Sequence, residues 1–235
     1  MASRADDIVE RAIVVETVHE AIAGCTLVFG ASSRERALKW HEISPRDAAA
    51  KIMDERRDEA GEVAILYGCE QNGLSNEELE LSNYQIVIPA VPEYASLNVA
   101  QAVQLISYEI YVAYLAQMKE RVHKEIKGTK GTKETKGTKE TKETKETKET
   151  SDPSQAFQVS QATSTITKEA PYATQEEMQR FFEHLEQVLL KIQFIDAKQP
   201  GFTMSRLRRL FVAARLDKIE LQILRGILTA IQKQV

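Results

Sequence analysis

Residues Ile65–Gln104 constrain this chain more than any other stretch: ILYGCEQNGLSNEELELSNYQIVIPAVPEYASLNVAQAVQ. Two short apolar runs, each rich in strand-forming residues, lead into polar loops marked by Gly or Pro, and each loop opens a helix. Parallel strands alternating with helices define an α/β protein. In such proteins ligands collect at the loops on the carboxyl ends of strands. The two loops therefore read as one composite pocket.

In the first unit, Val63–Tyr67 is a strand ending at Gly68. Cys69 to Leu74 then forms a turn, and Ser75 with Glu78 gives a capping box for a short helix. Gly68 and Gly73 bound that turn and permit close backbone approach. In the second unit, a strand over Gln85–Ile88 runs toward Ala90 and is followed by the loop Val91 to Asn98. Val99, Ala102, Val103, Ile106, Ile110 and Ala113 then recur at helical spacing. Ser96 and Asn98 lie at the start of that helix, where free backbone N–H groups receive polar or anionic ligand groups. Ser96 has a plain alternative role as the helix N-cap.

Upstream, Ala2–Glu10 reads as the end of a helix and Ile13–Val15 as a very short buried strand. Thr17 with Glu20 caps a helix closed by Gly24, and Cys25–Phe29 is an apolar strand. The turn after it, Ala31 to Arg36, carries Arg34 and Arg36. These two are either solvated charges or contacts to phosphate and ribose. Ser44 before Pro45 starts a helix through Ile52.

The 235 residues carry a net charge of −4, which gives no whole-chain signature of a nucleic-acid binder but leaves room for a local basic patch. Cys25 and Cys69 have neither metal-ligand nor disulfide spacing. His19, His41, His123 and His184 are isolated from any matching partner, so no metal site is expected. No apolar run approaches a membrane span, and a cytoplasmic setting is expected.

Lys127–Thr150 is a Lys/Thr/Glu/Gly triplet repeat without an apolar residue, and its period matches neither helix nor strand. The expected organisation is an α/β domain over 1–122, a disordered low-complexity linker over 123–172 and a small all-α domain over 173–235. In the last, Thr174 and Glu177 form a capping box, and Gln199-Pro200-Gly201 marks a turn. Met204, Leu207, Leu210, Phe211 and Ala214 are expected to face inward, as are Ile223, Leu224, Ile227, Leu228 and Ile231. Arg206, Arg208, Arg209, Arg215 and Lys218 make the densest basic patch outside the linker. The patch is either a solvated face or a contact to tRNA backbone.

LYGCEQNGLSNEEL followed by IPAVPEYASLNVAQAVQ resembles the second and third motifs of the SPOUT (SpoU/TrmH-like) methyltransferases, and most closely the TrmJ-type tRNA 2′-O-methyltransferases. The resemblance implies a parallel sheet with a C-terminal trefoil knot, S-adenosylmethionine as cofactor, a homodimer, and methyl transfer to a ribose 2′-hydroxyl in the anticodon loop of tRNA. Carried over by position, it implies cofactor contacts from Ala31, Ser32, Ser33, Gly68, Ile88, Ala95, Ser96 and Leu97. Glu70, Ser96 and Asn98 become contributors to catalysis. Arg34, Arg36, Arg206, Arg208 and Arg209 become RNA contacts. Two departures stand out. The family's opening strand–loop–helix block, with its motif-one arginine, has no counterpart here, so the expectation is an N-terminally truncated sheet with the catalytic residue unassigned. Cys69 also stands where the family commonly has arginine. The alternative is a catalytically impaired remnant that binds cofactor or RNA, or only dimerises.

Overall fold

The computed structural model describes residues 6–34, 36, 39–57, 61–91, 97–130, 170–196 and 202–234. Four parallel strands form one sheet: β1 (Cys25–Ala31), β2 (Glu42–Ile43), β3 (Glu62–Tyr67) and β4 (Tyr84–Ile86), in the order β2-β4-β1-β3. The central strand β1 reads CTLVFGA because both of its faces are covered. Leu27 and Phe29 join Ile52 and Met53 of α3 (Pro45–Arg57) and Ile106 of α5 (Val99–Lys130). Val28 packs on the other face with Ile22 of α2 (Val18–Ile22).

The register sets where ligands can bind. Ala31 pairs with Tyr67 on one side and with Ile86 on the other, so β1, β3 and β4 end level with one another. Their following loops open on a single edge of the sheet.

Local signals act as expected at most helix starts. Thr17 accepts a hydrogen bond from the Glu20 amide, although the Glu20 carboxylate returns to Glu16. Ser44 caps α3 through the Asp47 amide, and Ser75 with Glu78 closes a full capping box on α4 (Asn76–Leu79).

Several expectations are corrected. Residues Ile13–Val15 form no strand: they are 86%, 95% and 40% exposed. A strand needs a neighbour for its amides, and the sheet's edges, β2 and β3, pair with other segments only. The short helix α1 (Asp6–Glu10) before them buries nothing. β4 stops at Ile86, and Val87 adds one more bond to Ile43. Pro89, which has no N–H to give, follows shortly. The two-residue strand β2 was not anticipated at all. Helix α5 continues through Lys127 to Lys130 and so enters the repeat; extending an existing helix costs far less than starting one.

Three helices follow: α6 (Gln175–Lys191), α7 (Thr203–Ala214) and α8 (Lys218–Gln232). Their core is Met178, Phe181, Phe182, Leu185, Val188, Val212, Leu221 and Leu228, with Phe211 edge-on to Phe181 at 5.1 Å. Capping boxes at Thr174 and Asp217 start α6 and α8. Leu210, Ile223 and Ile227 are exposed rather than inward. Helix α8 is apolar on two sides, and Leu221, Leu224, Leu228 and Ile231 hold the side that meets α6 and α7. The turn Gln199-Pro200-Gly201 lies outside the described residues. Tyr172, assigned above to the linker, already pairs with Asp217.

Chain contacts divide the molecule into two units, residues Met1–Gln117 with Lys168–Val235, and residues Met118–Thr167. Within the first unit a buried polar seam joins α7 to the sheet. Asn83 accepts from the Val28 amide at 2.8 Å and donates to the Val212 carbonyl at 3.0 Å. Glu55 accepts from Thr26 Oγ1, and Arg215 Nη2 lies 2.7 Å from both of its carboxylate oxygens. Arg215 takes the left-handed conformation that ends α7 and lies over the Tyr172 ring.

Candidate active site

The three level strand ends wall a cavity of about 700 Å³, a size ordinary for small-molecule sites. Its first wall is Ala31, Ser32, Ser33 and Arg34. Its second is Gly68 to Gly73, and the floor is Tyr67, Ile86 and Ile88. Leu97, Asn98, Val99 and Ala102 close the remaining side.

Each wall is fixed by identifiable bonds. The Ser32 amide donates to the Ile86 carbonyl at 3.1 Å, and Gln85 Nε2 donates to the Ser32 carbonyl at 2.9 Å. The second wall folds back through a bridge between Cys69 and Gly73. A side chain at position 68 would stand 2.0 Å from the Gly73 carbonyl carbon, so only glycine fits there. Gly73 itself adopts φ +65°, the left-handed region glycine favours. Asn98 caps α5, its side-chain oxygen accepting the Ala100 amide at 2.8 Å, while its Nδ2 donates to Glu70 Oε1 at 3.3 Å. That bond joins the two central loops across the cavity. Asn98 thus serves as the N-cap of this helix.

Among the sequence-derived candidates, Ala31, Ser32, Ser33, Gly68, Glu70, Ile88, Leu97 and Asn98 all line this cavity. Ala95 and Ser96 lie outside the described residues. Among the described lining residues, Glu70 is the one acid and Arg34 the one base. Tyr67 and Ile86 were not singled out from the sequence, although each ends a strand beside a chosen loop. Burial pushes the Tyr67 phenol up to about 12, so it stays protonated at neutral pH and cannot serve there as a base. Among the described residues no group of three His, Cys, Asp or Glu could hold a metal ion, and no helix is long and apolar enough to cross a membrane.

The basic candidates divide. Arg34 and Arg206 are exposed. Arg36 donates to the Leu74 carbonyl and Asn76 Oδ1. Arg208 bonds Gln179 and lies over the Phe182 ring, and Arg209 donates to the Lys39 carbonyl. Arg215 pairs with Glu55, and Lys218 pairs with Glu177. Most of the expected patch is thus engaged inside the fold. A second cavity of about 270 Å³, lined by Ile22, Leu81, Phe182 and Val212 among others, includes Arg208 but no other candidate.

A parallel sheet whose strand-end loops enclose a cavity of this kind is the architecture of an α/β ligand-binding enzyme, and a family model makes the class specific. Residues 1–108 match the SpoU rRNA Methylase family, and residues 176–235 match the C-terminal domain of tRNA methyltransferase TrmJ. The tRNA (cytidine/uridine-2′-O-)-methyltransferase TrmJ of Yersinia pseudotuberculosis is 38% identical over 236 residues, an alignment that covers 100% of this chain and 75% of that protein. Its namesake from Klebsiella pneumoniae is 37% identical, covering 100% of this chain and 79% of its own. The crystal structure of TrmJ from Z. mobilis ZM4 superposes with a TM-score of 0.67 at 26% identity, over 98% of this chain and 78% of that one. The chain belongs to the TrmJ-type family of SPOUT methyltransferases.

Proposed function

We propose that this protein transfers a methyl group from S-adenosylmethionine to a ribose 2′-hydroxyl of tRNA, within the anticodon loop as in the resemblance noted above. The observation that carries the reading is the convergence of both motif loops on one cavity walled by three level strand ends. The residues present suit the cofactor. Ile86, Ile88 and Leu97 offer apolar surface for a purine, and the Gly68 backbone with the Ser32 and Ser33 side chains offers polar contacts along an extended ligand. When bound, the cofactor supplies an electrophilic methyl group on a sulfonium. Ala31, Ser32, Ser33, Gly68, Ile88, Ala95, Ser96 and Leu97 form the binding set.

Glu70, to which Asn98 donates a hydrogen bond, would accept the proton of the ribose hydroxyl, with Ser96, two residues before Asn98, as a further contributor. General-base help of this kind contributes typically 10²–10⁴-fold, on the order of 3–5 kcal/mol. Arg34 and Arg206 are the RNA-facing cations, whereas Arg36, Arg208 and Arg209 are engaged by other parts of the fold.

The same reading includes a homodimer. Val103, Tyr108, Tyr111 and Val112 leave α5 with an exposed apolar surface, which a second copy would cover. It also includes the trefoil knot, a cytoplasmic setting, and the division into a methyltransferase domain, a linker that starts beyond Lys130 and ends before Tyr172, and a helical domain after it.

The test is calorimetry with S-adenosylmethionine, paired with transfer of labelled methyl to an unmodified tRNA transcript. Product should resist alkaline cleavage at one position, because a 2′-O-methyl blocks attack by that oxygen. Glu70→Gln should lower the rate at least 10²-fold, about 2.7 kcal/mol, with donor affinity kept. Binding without transfer would instead favour the impaired remnant, and no binding would remove the enzyme reading.

A further inference from the structure

Arg36 follows the first cavity wall by two residues, yet it does not line the cavity. Its terminal nitrogens donate to the Leu74 carbonyl and to Asn76 Oδ1, partners 38 and 40 positions further along the chain. Leu74 is buried at the foot of the second wall, directly after Gly73, and Asn76 is the first residue of α4. Burial, followed by the nearby charge of Arg34, lowers the Arg36 pKa from its ordinary value. A guanidinium enclosed in this way and committed to two acceptors differs from its neighbour Arg34, which is exposed at the cavity rim.

The first wall is already fixed toward β4, through Ser32, Gln85 and Ile86. Arg36 supplies the tie in the opposite direction, toward the loop after β3. We propose that Arg36 is a positioning residue for cofactor binding: it joins the loop after β1 to the loop after β3, holds the width of the cavity between them, and makes no contact with RNA. The proposal rests on the reading of the cavity as the cofactor site. A planar guanidinium reaches two acceptors at once, which a lysine ammonium on its flexible stem does not reproduce.

The experiment uses the full chain with Arg36→Ala, Arg36→Lys and Asn76→Ala, measured for the calorimetric Kd of S-adenosylmethionine, which should move in step with its KM and decides the matter alone if no methyl is transferred, and for the KM of unmodified tRNA and the salt dependence of tRNA binding. Arg36→Ala should raise the donor KM by about tenfold, the scale set by losing charge-assisted hydrogen bonds. Arg36→Lys should recover little of it. Asn76→Ala, which deletes one of the two acceptors, should raise the donor KM by roughly three-fold. The tRNA KM and the salt slope should stay unchanged in all three. A higher tRNA KM with a slope reduced by about one, at unaltered donor KM, would make Arg36 a phosphate contact and overturn the proposal. Should Arg36→Ala fail to fold, Arg36→Lys and Asn76→Ala decide the matter, and a normal donor KM in both rejects the tie. A wild-type chain that binds no donor would remove the cavity's assignment and this proposal together. Normal wild-type binding with unaltered variants would remove this proposal alone.

Discussion

Tyr67 ends β3 at the cavity floor, and its phenol is raised to about 12 by burial. The folded protein therefore keeps this proton at a pH where the unfolded chain, with its tyrosine near the ordinary value of 10.0, has released it. Unfolding is linked to proton release in that window, so this contribution to stability is complete below pH 10 and declines as pH rises toward 12. Tyr67→Phe should flatten that decline, which urea denaturation at rising alkaline pH will measure. The phenolate absorbance of the native protein should also lack one tyrosine until about pH 12. A Tyr67 that ionises with the exposed tyrosines would contradict the burial. The sequence marked Gly68 and passed over Tyr67 for a physical reason. A glycine beside a turn announces close packing, whereas a strand-end tyrosine is chemically noteworthy only once its surroundings are known.

At the scale of elements, α7 shows how pattern and structure part. Its sequence presents Arg206, Arg208, Arg209 and Arg215 as one basic surface, and periodicity alone cannot tell a solvated arginine from one that docks. The partners Glu55, Lys39 and Gln179 come from distant parts of the chain. The Arg215–Glu55 pair is enclosed, with side chains only 17% and 3% exposed. Arg215→Ala should destabilise the protein by about 3–5 kcal/mol, because it strands Glu55 without its partner. Adding Glu55→Gln should recover part of that loss, and denaturation of the two variants measures the difference. An effect within about 0.5 kcal/mol would assign the pair to the surface class. The capping boxes at Ser75 and Thr174 were open to sequence inspection because a cap is made within four residues. The inward faces of α7 and α8 were not, since Ile223 and Leu224 are equally apolar and only the neighbouring helices choose between them.

At the scale of the whole molecule, the sheet was legible where apolar runs meet glycine and obscure where they do not. β1 and β3 stand out, two-residue β2 carries almost no signal, and Ile13–Val15 has a strand's composition without a strand's neighbours. The cavity was legible as two loops, but the alignment of Ala31, Tyr67 and Ile86 required the register. The seam through Asn83, Glu55 and Arg215 bears on how the chain responds to cutting. Trypsin should cleave at lysines of the repeat within residues 131–150, as the proposed linker requires. The two products should elute together from a sizing column, because Asn83 and Arg215 hold α7 to the sheet. Separate elution would mean that the seam does not survive in solution.

The level ends of β1, β3 and β4 have a consequence for the protein's life in a cell. A ligand resting on all three at once acts as a cross-link that forms only on the folded sheet. At a concentration one hundred times its dissociation constant such a ligand adds about 2.7 kcal/mol to the fold. That is a large part of what a marginally stable domain possesses. With S-adenosylmethionine as that ligand, metabolic supply of methyl donor becomes a determinant of how long each copy escapes proteolysis. Starvation for the donor would then deplete the protein as well as idle it.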